Sequence, residues 1–145
     1  MAHNSWARLV KLEAVLIFII LTMVSGCSRQ QPIATLTAEG REYVKNKNLL
    51  LSDVSMKATD SLAGQTLTEI EGNIKNAGGR TIERVEVTCI FFDPNGKSLY
   101  QERGVLVRST LKPGETRRFR LAFDTIPEGW NNQLPQLVIA LVIFG

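Results

Sequence analysis

Two cysteines and one histidine are the residues of this chain best suited to covalent or metal chemistry. Cys27 follows the small residues Ser25 and Gly26 at the end of an apolar segment, whereas Cys89 lies inside a stretch of alternating apolar residues. The histidine, His3, is close to the first residue. A buried thiol in an apolar strand is inert. We therefore expect Cys89 to be structural, with a redox or intermolecular disulfide role as the alternative.

The segment before Cys27 has the composition of a secretory signal. Residues 1–13 are polar and modestly basic, and residues 14–24 are apolar without a break. A basic start, an apolar stretch of about 7–15 residues and a small-residue cleavage site are typical of an exported chain. The apolar run is shorter than the roughly 20 residues that span a bilayer. An uncleaved N-terminal anchor is the alternative interpretation.

Residues 21–27 resemble the lipobox of bacterial lipoproteins, in which an aliphatic and two small residues precede a modifiable cysteine. The resemblance implies that residues 1–26 are removed by cleavage after Gly26 and that Cys27 is lipidated. Each buried methylene of an acyl chain contributes about 0.8 kcal/mol, so such a lipid would hold the chain on a membrane. Ser28 stands where Asp usually signals inner-membrane retention in Gram-negative cells, which favours the periplasmic face of the outer membrane.

Removal of residues 1–26 would also remove the histidine and leave Cys89 as the one unmodified thiol. This excludes an intramolecular disulfide, a zinc site with Cys and His ligands, and a Cys–His or Ser–His nucleophile pair. We therefore expect no enzyme activity, no metal and no cofactor. The net charge of +3 is spread along the 145 residues, and this argues against nucleic-acid binding.

Residues 27–48 form a short lead-in to the main domain. Pro32 interrupts a polar tether, and Thr35 or Thr37 is suited to cap a helix over residues 38–46. The predicted inner edge of this helix consists of Leu36, Tyr43 and Val44.

From residue 49 the apolar period changes to two, which is typical of half-buried strands. The clearest strands are residues 65–76 and 81–92, and the second is predicted to turn Val85, Val87, Cys89 and Phe91 inward. Further strands are expected at residues 54–58 and 118–123. Residues 97–100 and 105–107 are predicted to form two short strands, or one strand interrupted at Gly104. Residues 136–144 are apolar on both faces. This predicts a central strand covered on both sides, or an inner strand facing a neighbour.

Six or seven strands joined by tight turns indicate an all-β fold, an immunoglobulin-like β-sandwich over residues 49–145. Residues 71–76, 85–96 and 111–115 resemble the FxLYD type of small bacterial envelope domain: a strand with Gly-x-x-x-Asn, a strand ending aromatic-Asp-x-x-Gly, and a Leu-x-Pro-Gly-Glu turn. Of the name-giving motif, residues 89–93 keep only the final aromatic residue and Asp. The resemblance implies a membrane-tethered sandwich and assigns no catalytic residue.

Two surface features are candidates for binding. Arg118 and Arg120 share one predicted strand face and would suit anionic headgroups, unless they protect a sheet edge from pairing. Trp130 lies with three amide residues in a predicted loop and would suit a sugar, unless it plugs one end of the sandwich. Glu69 and Glu71 lie on one outward strand face, close enough to resemble the two catalytic carboxylates of a glycosidase. The favoured interpretation is that they simply form part of a solvated strand face.

These observations favour a lipid-anchored cell-envelope protein whose sandwich is a non-catalytic interaction or scaffolding module. Its expected partners are the membrane, through the lipid on Cys27, and another envelope protein. The alternative is a lipoprotein that binds envelope glycan or anionic lipid through the Trp130 loop or the Arg118 and Arg120 face.

Overall fold

The computed structural model describes residues 35–60, 66–124 and 127–145. The helix α1 spans Ala38–Lys45, and the strands in chain order are β1 (Leu49–Asp60), β2 (Thr66–Asn76), β3 (Ile82–Phe92), β4 (Ser98–Val107), β5 (Thr116–Phe123) and β6 (Gln136–Phe144). The predicted signal segment, the turn at residues 62–64 and part of the loop around residue 125 lie outside the described residues.

The strands form two antiparallel sheets that pack face to face. Sheet A has the order β1-β2-β5 and sheet B the order β4-β3-β6. Chain order matches strands A, B and E of an immunoglobulin sandwich in one sheet and strands C′, C and F in the other. The predicted all-β sandwich is confirmed, with six strands in the part of the chain that is described.

The core lies between the inner faces of β2 and β3 and their neighbours. Ile70 and Ile74 on β2 are fully buried, as are Val85 and Val87 on β3. Cys89 and Phe91 also face inward, so the predicted inner face of β3 is confirmed. On the side of sheet A, alternate residues of β5 complete the core opposite β3: Phe119, Leu121 and Phe123.

Gly72 allows the Phe119 ring and the backbone of β1 to lie close to β2 within sheet A. A Cβ atom at this position would lie 2.8 Å from Cζ of Phe119 and 3.2 Å from the carbonyl oxygen of Ser52. Opposite Gly72, the register of β1 shifts between Ser52 and Ser55, which forms a bulge. A glycine within a strand commonly marks a bulge or a close contact, and here it marks both.

The lead-in helix is present and ends one residue earlier than predicted. Its N-cap is Thr37, whose hydroxyl accepts a hydrogen bond from the backbone N–H of Gly40 at 3.1 Å. Tyr43 is buried, and its ring meets the ring of Phe144 edge-on at a centroid distance of 5.0 Å. This contact docks the helix on the end of β6.

Two strand predictions differ from the structure. Residues 98–107 form one continuous strand through Gly104, with Leu121 packed where a side chain at Gly104 would lie, so the prediction of two short strands, or of one interrupted at Gly104, is wrong. The prediction that residues 136–144 form a central strand is wrong, because β6 lies at the edge of sheet B and β3 is its one partner among the described strands. Apolar residues on both faces did not place this strand in the middle, and Val138 and Ile143 remain exposed.

Candidate functional site

The two predicted surface arginines face two glutamates on the neighbouring strand. The antiparallel register of β2 and β5 places Arg120 opposite Glu71 and Arg118 opposite Asn73. Arg118 donates to the Glu71 carboxylate at 2.5 Å, and Arg120 forms an ion pair with Glu69. Charges of opposite sign alternate across this face, so it is not a stripe of unpaired positive charge.

The ion pairs shift the ionisation of the groups that form them. The pKa of Glu71 lies below its usual value, first because Arg118 donates to its carboxylate and second because Lys57 does so at 3.4 Å. The hydrogen bond to Glu69 raises the pKa of Arg120. Glu71 is therefore held as an anion by neighbouring cations, and Glu69 is paired with Arg120. This arrangement differs from a glycosidase, in which one carboxyl group must be kept protonated.

A shallow cleft of about 220 Å³ lies beside these pairs, at the bulge of β1. Asp53 occupies the bulge with a φ angle of +52°, and its carboxylate accepts hydrogen bonds from Ser52 and from the Asn73 amide at 2.9 Å. The cleft is lined by polar groups that are largely bonded to one another: Asp53, Ser55, Glu71, Gly72, Asn73 and Arg118.

Trp130 is folded into the end of the sandwich. Its side chain is 9% exposed, and its ring meets Phe91 edge-on at a centroid distance of 5.5 Å. The indole N–H has no acceptor among the described residues. A sugar-binding platform needs an exposed ring face, so this geometry favours the plug over the platform.

Cys89 and the turn after β3 have structural environments. Burial, with a smaller contribution from Glu102, raises the pKa of the Cys89 thiol to about 12, and the residue is fully buried. The Asp93 carboxylate accepts from the backbone N–H groups of Asn95 at 2.9 Å and Lys97 at 2.8 Å. It therefore closes a turn, as the sequence Asp-Pro-Asn-Gly predicts.

A buried polar cluster that the sequence did not reveal joins four segments at the helix end of the sandwich. Asn76 is fully buried, and its side-chain amide donates to the carbonyl oxygens of Arg80 at 2.7 Å and Leu111 at 3.1 Å. Its side-chain oxygen accepts from the hydroxyl of Tyr43 at 2.6 Å. The signal available in the sequence was the Gly-x-x-x-Asn pattern ending at Asn76, which gives no indication of the partner.

The outer face of β6 carries two of the large apolar side chains that are exposed among the described residues. Val138 is 41% exposed and Ile143 is 44% exposed, and both lie on the outer face of sheet B. Arg103 crosses that face, pairs with Glu86 at 2.8 Å and donates to the carbonyl oxygen of Ala140 at 3.1 Å. This bond anchors the middle of β6, where its register with β3 shifts.

Cys27 and Gly26, the predicted lipidation and cleavage positions, lie outside the described residues. Within the described ranges, no group of three or more His, Cys, Asp or Glu side chains is arranged to hold a metal ion. No helix in the same ranges is long and apolar enough to cross a membrane.

No family model matches the chain, and no curated protein matches it. Solved structures that resemble it include one assigned provisionally to the ApaA protein of Bordetella pertussis, at 18% identity and a TM-score of 0.39, over 66% of this chain and 90% of that one. Another is the X-ray structure of a structural-genomics target, at 16% identity and a TM-score of 0.41, over 68% and 86% of the two chains. Likenesses this distant carry no argument about function.

Proposed function

We propose that this chain is a lipid-anchored protein of the bacterial cell envelope whose β-sandwich is a non-catalytic interaction module. Cys27 carries the lipid after cleavage behind Gly26, and the sandwich binds another envelope protein. The periplasmic face of the outer membrane is the proposed location in a Gram-negative cell. The lipobox-like residues 21–27 support the anchor.

The observation that most supports an interaction role is the edge of β6, with which no described strand pairs. An edge strand presents backbone donors and acceptors that a further strand can use, and proteins commonly recognise partners in this way. Val138 and Ile143 add exposed apolar contacts beside that edge.

The side chains suited to chemistry are occupied in structural contacts. Cys89 is buried with a raised pKa, the Glu69 and Glu71 carboxylates are paired with arginines, and the Asp93 carboxylate closes a turn. Each of these observations favours a binding or scaffolding role over a reaction.

Intact mass and membrane fractionation of the full chain, expressed in a bacterium beside a Cys27→Ala variant, test the anchor. We expect the wild type to lose residues 1–26, gain acyl mass and fractionate with membranes, and the variant to do none of these. Retention of residues 1–26 without acyl mass in the wild type would contradict the proposal and favour an uncleaved anchor.

The alternative, binding of glycan or anionic lipid, makes a different prediction. It requires Trp130 or the arginine face, so Trp130→Ala, or Arg118→Glu combined with Arg120→Glu, would reduce retention on envelope glycan or anionic vesicles. We expect retention to be unchanged in variants that remain folded, because Trp130 is buried and both arginines are paired.

A further inference from the structure

The position next to β6 is one that a strand occupies in a complete immunoglobulin sandwich. In that fold, strand F lies between strands C and G. Here β3 and β6 take the places of C and F, and no described strand takes the place of G. A strand added in that place would run antiparallel to β6.

The edge of β6 borders an incompletely covered seam of the core. Since β4 contacts β5 on one side of the sandwich, β1 and β6 are the strands on the other side, where α1 contacts both. Half-buried apolar residues of these two edge strands pack against the core along that side: Leu51, Val54, Met56, Leu137 and Ile139. A strand added to β6 would cover part of this seam.

The other three described edges carry charged residues that discourage strand addition. Asp53 and Lys57 lie on β1, Arg118 lies on β5, and Glu102 and Arg103 lie on β4. Residues 136–145 contain no charged side chain. Charged edge residues normally prevent pairing between sheets, so β6 is the edge at which pairing is least opposed.

A register shift in β6 makes this strand complementary to a second copy of itself. Ile139 lies opposite Val87, and Leu141 lies opposite Glu86, so Ala140 is an extra residue. Inward-facing residues are therefore odd-numbered before Ala140 and even-numbered after Leu141, as their partners on β3 show. In an antiparallel pair, residues directly opposite each other must point to the same face of the sheet.

A twofold axis between Ala140 and Leu141 satisfies this condition for the three residues on each side of that central pair. It places Val138 opposite Ile143 of the other copy on the outer face. It also places inward Ile139 opposite Val142 and inward Leu137 opposite Phe144. Without the extra residue, the same axis would set inward residues against outward ones, because side chains alternate with a period of two.

We propose that this chain forms a symmetric homodimer in which two β6 strands pair antiparallel and join two B sheets into one six-stranded sheet. The proposal names a second copy of this chain, rather than a different envelope protein, as the partner at the β6 edge. It rests on the proposed function in one respect: a shared membrane anchor would concentrate the two copies on one surface. The dimer covers Val138 and Ile143, the exposed apolar residues of β6.

Disulfide crosslinking between single-cysteine substitutions tests the register. Opposed Cα atoms in an antiparallel pair are about 4.5–5.5 Å apart, within the roughly 4.4–6.8 Å that a disulfide spans. The same residue in the two copies would be five positions out of register, or about 16 Å apart. Full-length Val138→Cys and Ile143→Cys chains, coexpressed and oxidised with copper phenanthroline in isolated membranes, should therefore form a covalent dimer.

The controls make the result specific to this register. Val138→Cys alone, Ile143→Cys alone and the wild type should remain uncrosslinked, since Cys27 and Cys89 are the same in every sample. The proposal would be overturned by a crosslink in the sample that contains only the Val138→Cys chain. A crosslink to a different protein, or no crosslink in the mixed sample, would also overturn it. Crosslinking within one chain, to a cysteine in residues 1–34, would also overturn it.

Charge substitutions give a second, independent readout. The double variant Val138→Lys with Ile143→Lys places two pairs of like charges opposite each other across the twofold axis. It should raise the dissociation constant of the dimer about tenfold or more, as measured by light scattering in detergent. Val138→Lys with Ile143→Glu opposes unlike charges and should restore the dimer. Leu50→Lys, at a position 40% exposed on β1, is the matched control and should leave the dimer intact.

Membrane fractionation of the same samples separates the two proposals. A monomeric wild type that is folded and still sediments with membranes would overturn the dimer and leave the proposed anchor standing. A dimer that is released from membranes would overturn the anchor alone.

Discussion

The hydroxyl of Tyr43 on the lead-in helix donates a hydrogen bond of 2.6 Å to the side-chain oxygen of Asn76 at the end of β2. Both residues are buried. Because the Asn76 amide also donates to the carbonyl oxygens of Arg80 and Leu111, one side chain fixes the helix, the β2–β3 turn and the segment before β5. The helix is therefore an integral part of the sandwich.

Substitution of either partner should destabilise the fold, by different amounts. Tyr43→Phe removes one donor from a buried oxygen and should lower the free energy of unfolding by about 1–2 kcal/mol. Asn76→Ala removes the side-chain donor to the carbonyl oxygens of Arg80 and Leu111 and the acceptor of the Tyr43 hydroxyl, and should cost about 2–4 kcal/mol. Urea denaturation measures both.

Tyr100→Phe is the matched control, since the Tyr100 hydroxyl bonds the Glu102 carboxylate at the surface. We expect it to change stability by less than about 0.5 kcal/mol. An equal effect of Tyr43→Phe and Tyr100→Phe would show that the buried cluster adds nothing.

Gly72→Ala should also destabilise the protein, because the added methyl group would lie 2.8 Å from the Phe119 ring. Overpacking of this kind typically costs about 1–3 kcal/mol. Thermal unfolding measures the change, with Gly79→Ala as the control because a Cβ there meets nothing within 4 Å. Unchanged stability of Gly72→Ala would mean that the Phe119 ring moves aside freely.

Stability should fall in acid as Glu71 and Glu115 become protonated. Arg118 lowers the pKa of Glu71 in the folded state, and the backbone N–H of Lys112 followed by Arg117 lowers that of Glu115, both from an ordinary value of 4.5. A carboxyl whose pKa is lower in the folded state stabilises the protein above its unfolded pKa and loses this effect as pH falls through the folded pKa. The destabilisation should therefore begin near pH 4.5 and increase below it.

Glu71→Gln should flatten this acid dependence and lower stability at pH 7, as measured by urea denaturation at a series of pH values. High salt should reduce the difference, because exposed ion pairs are screened. An acid profile identical in wild type and variant would show that the pair with Arg118 is not formed in solution.

The thiol of Cys89 should resist alkylation in the folded protein. Burial raises its pKa to about 12, so almost no thiolate is present at pH 8. Iodoacetamide should label Cys89 only after denaturation in urea, as read by peptide mass spectrometry. Comparable labelling of native and denatured protein at pH 8 would contradict a permanently buried thiol.

Local patterns were sufficient to predict most strands. The alternation in residues 81–92 predicted the inner face of β3 because side chains on a strand alternate with a period of two, whatever the strand pairs with. The Asp-Pro-Asn-Gly turn and a helix cap at Thr35 or Thr37 were likewise predictable, because each depends on bonds within a few residues, and the structure has the cap at Thr37.

The partners of the surface arginines could not be predicted from the sequence. The arginines' shared face on β5 followed from alternation. Their partners depend on the register between β2 and β5, which pairs side chains separated in the chain by 47 positions in one case and 51 in the other. A sequence pattern shows that Arg118 and Arg120 face outward. It does not show that Glu71 and Glu69 lie beside them.

The amino-acid sequence by itself determined the strand segments, their inner faces, the tight turns and the lipobox-like residues 21–27. Tertiary structure alone decided that Asn76 bonds Tyr43, that Trp130 closes one end of the core, and that β6 lies at an edge. The physical reason is that strand faces and turns depend on covalent geometry over a few residues. Sheet order and buried polar pairs depend on which distant segments meet when the whole core packs.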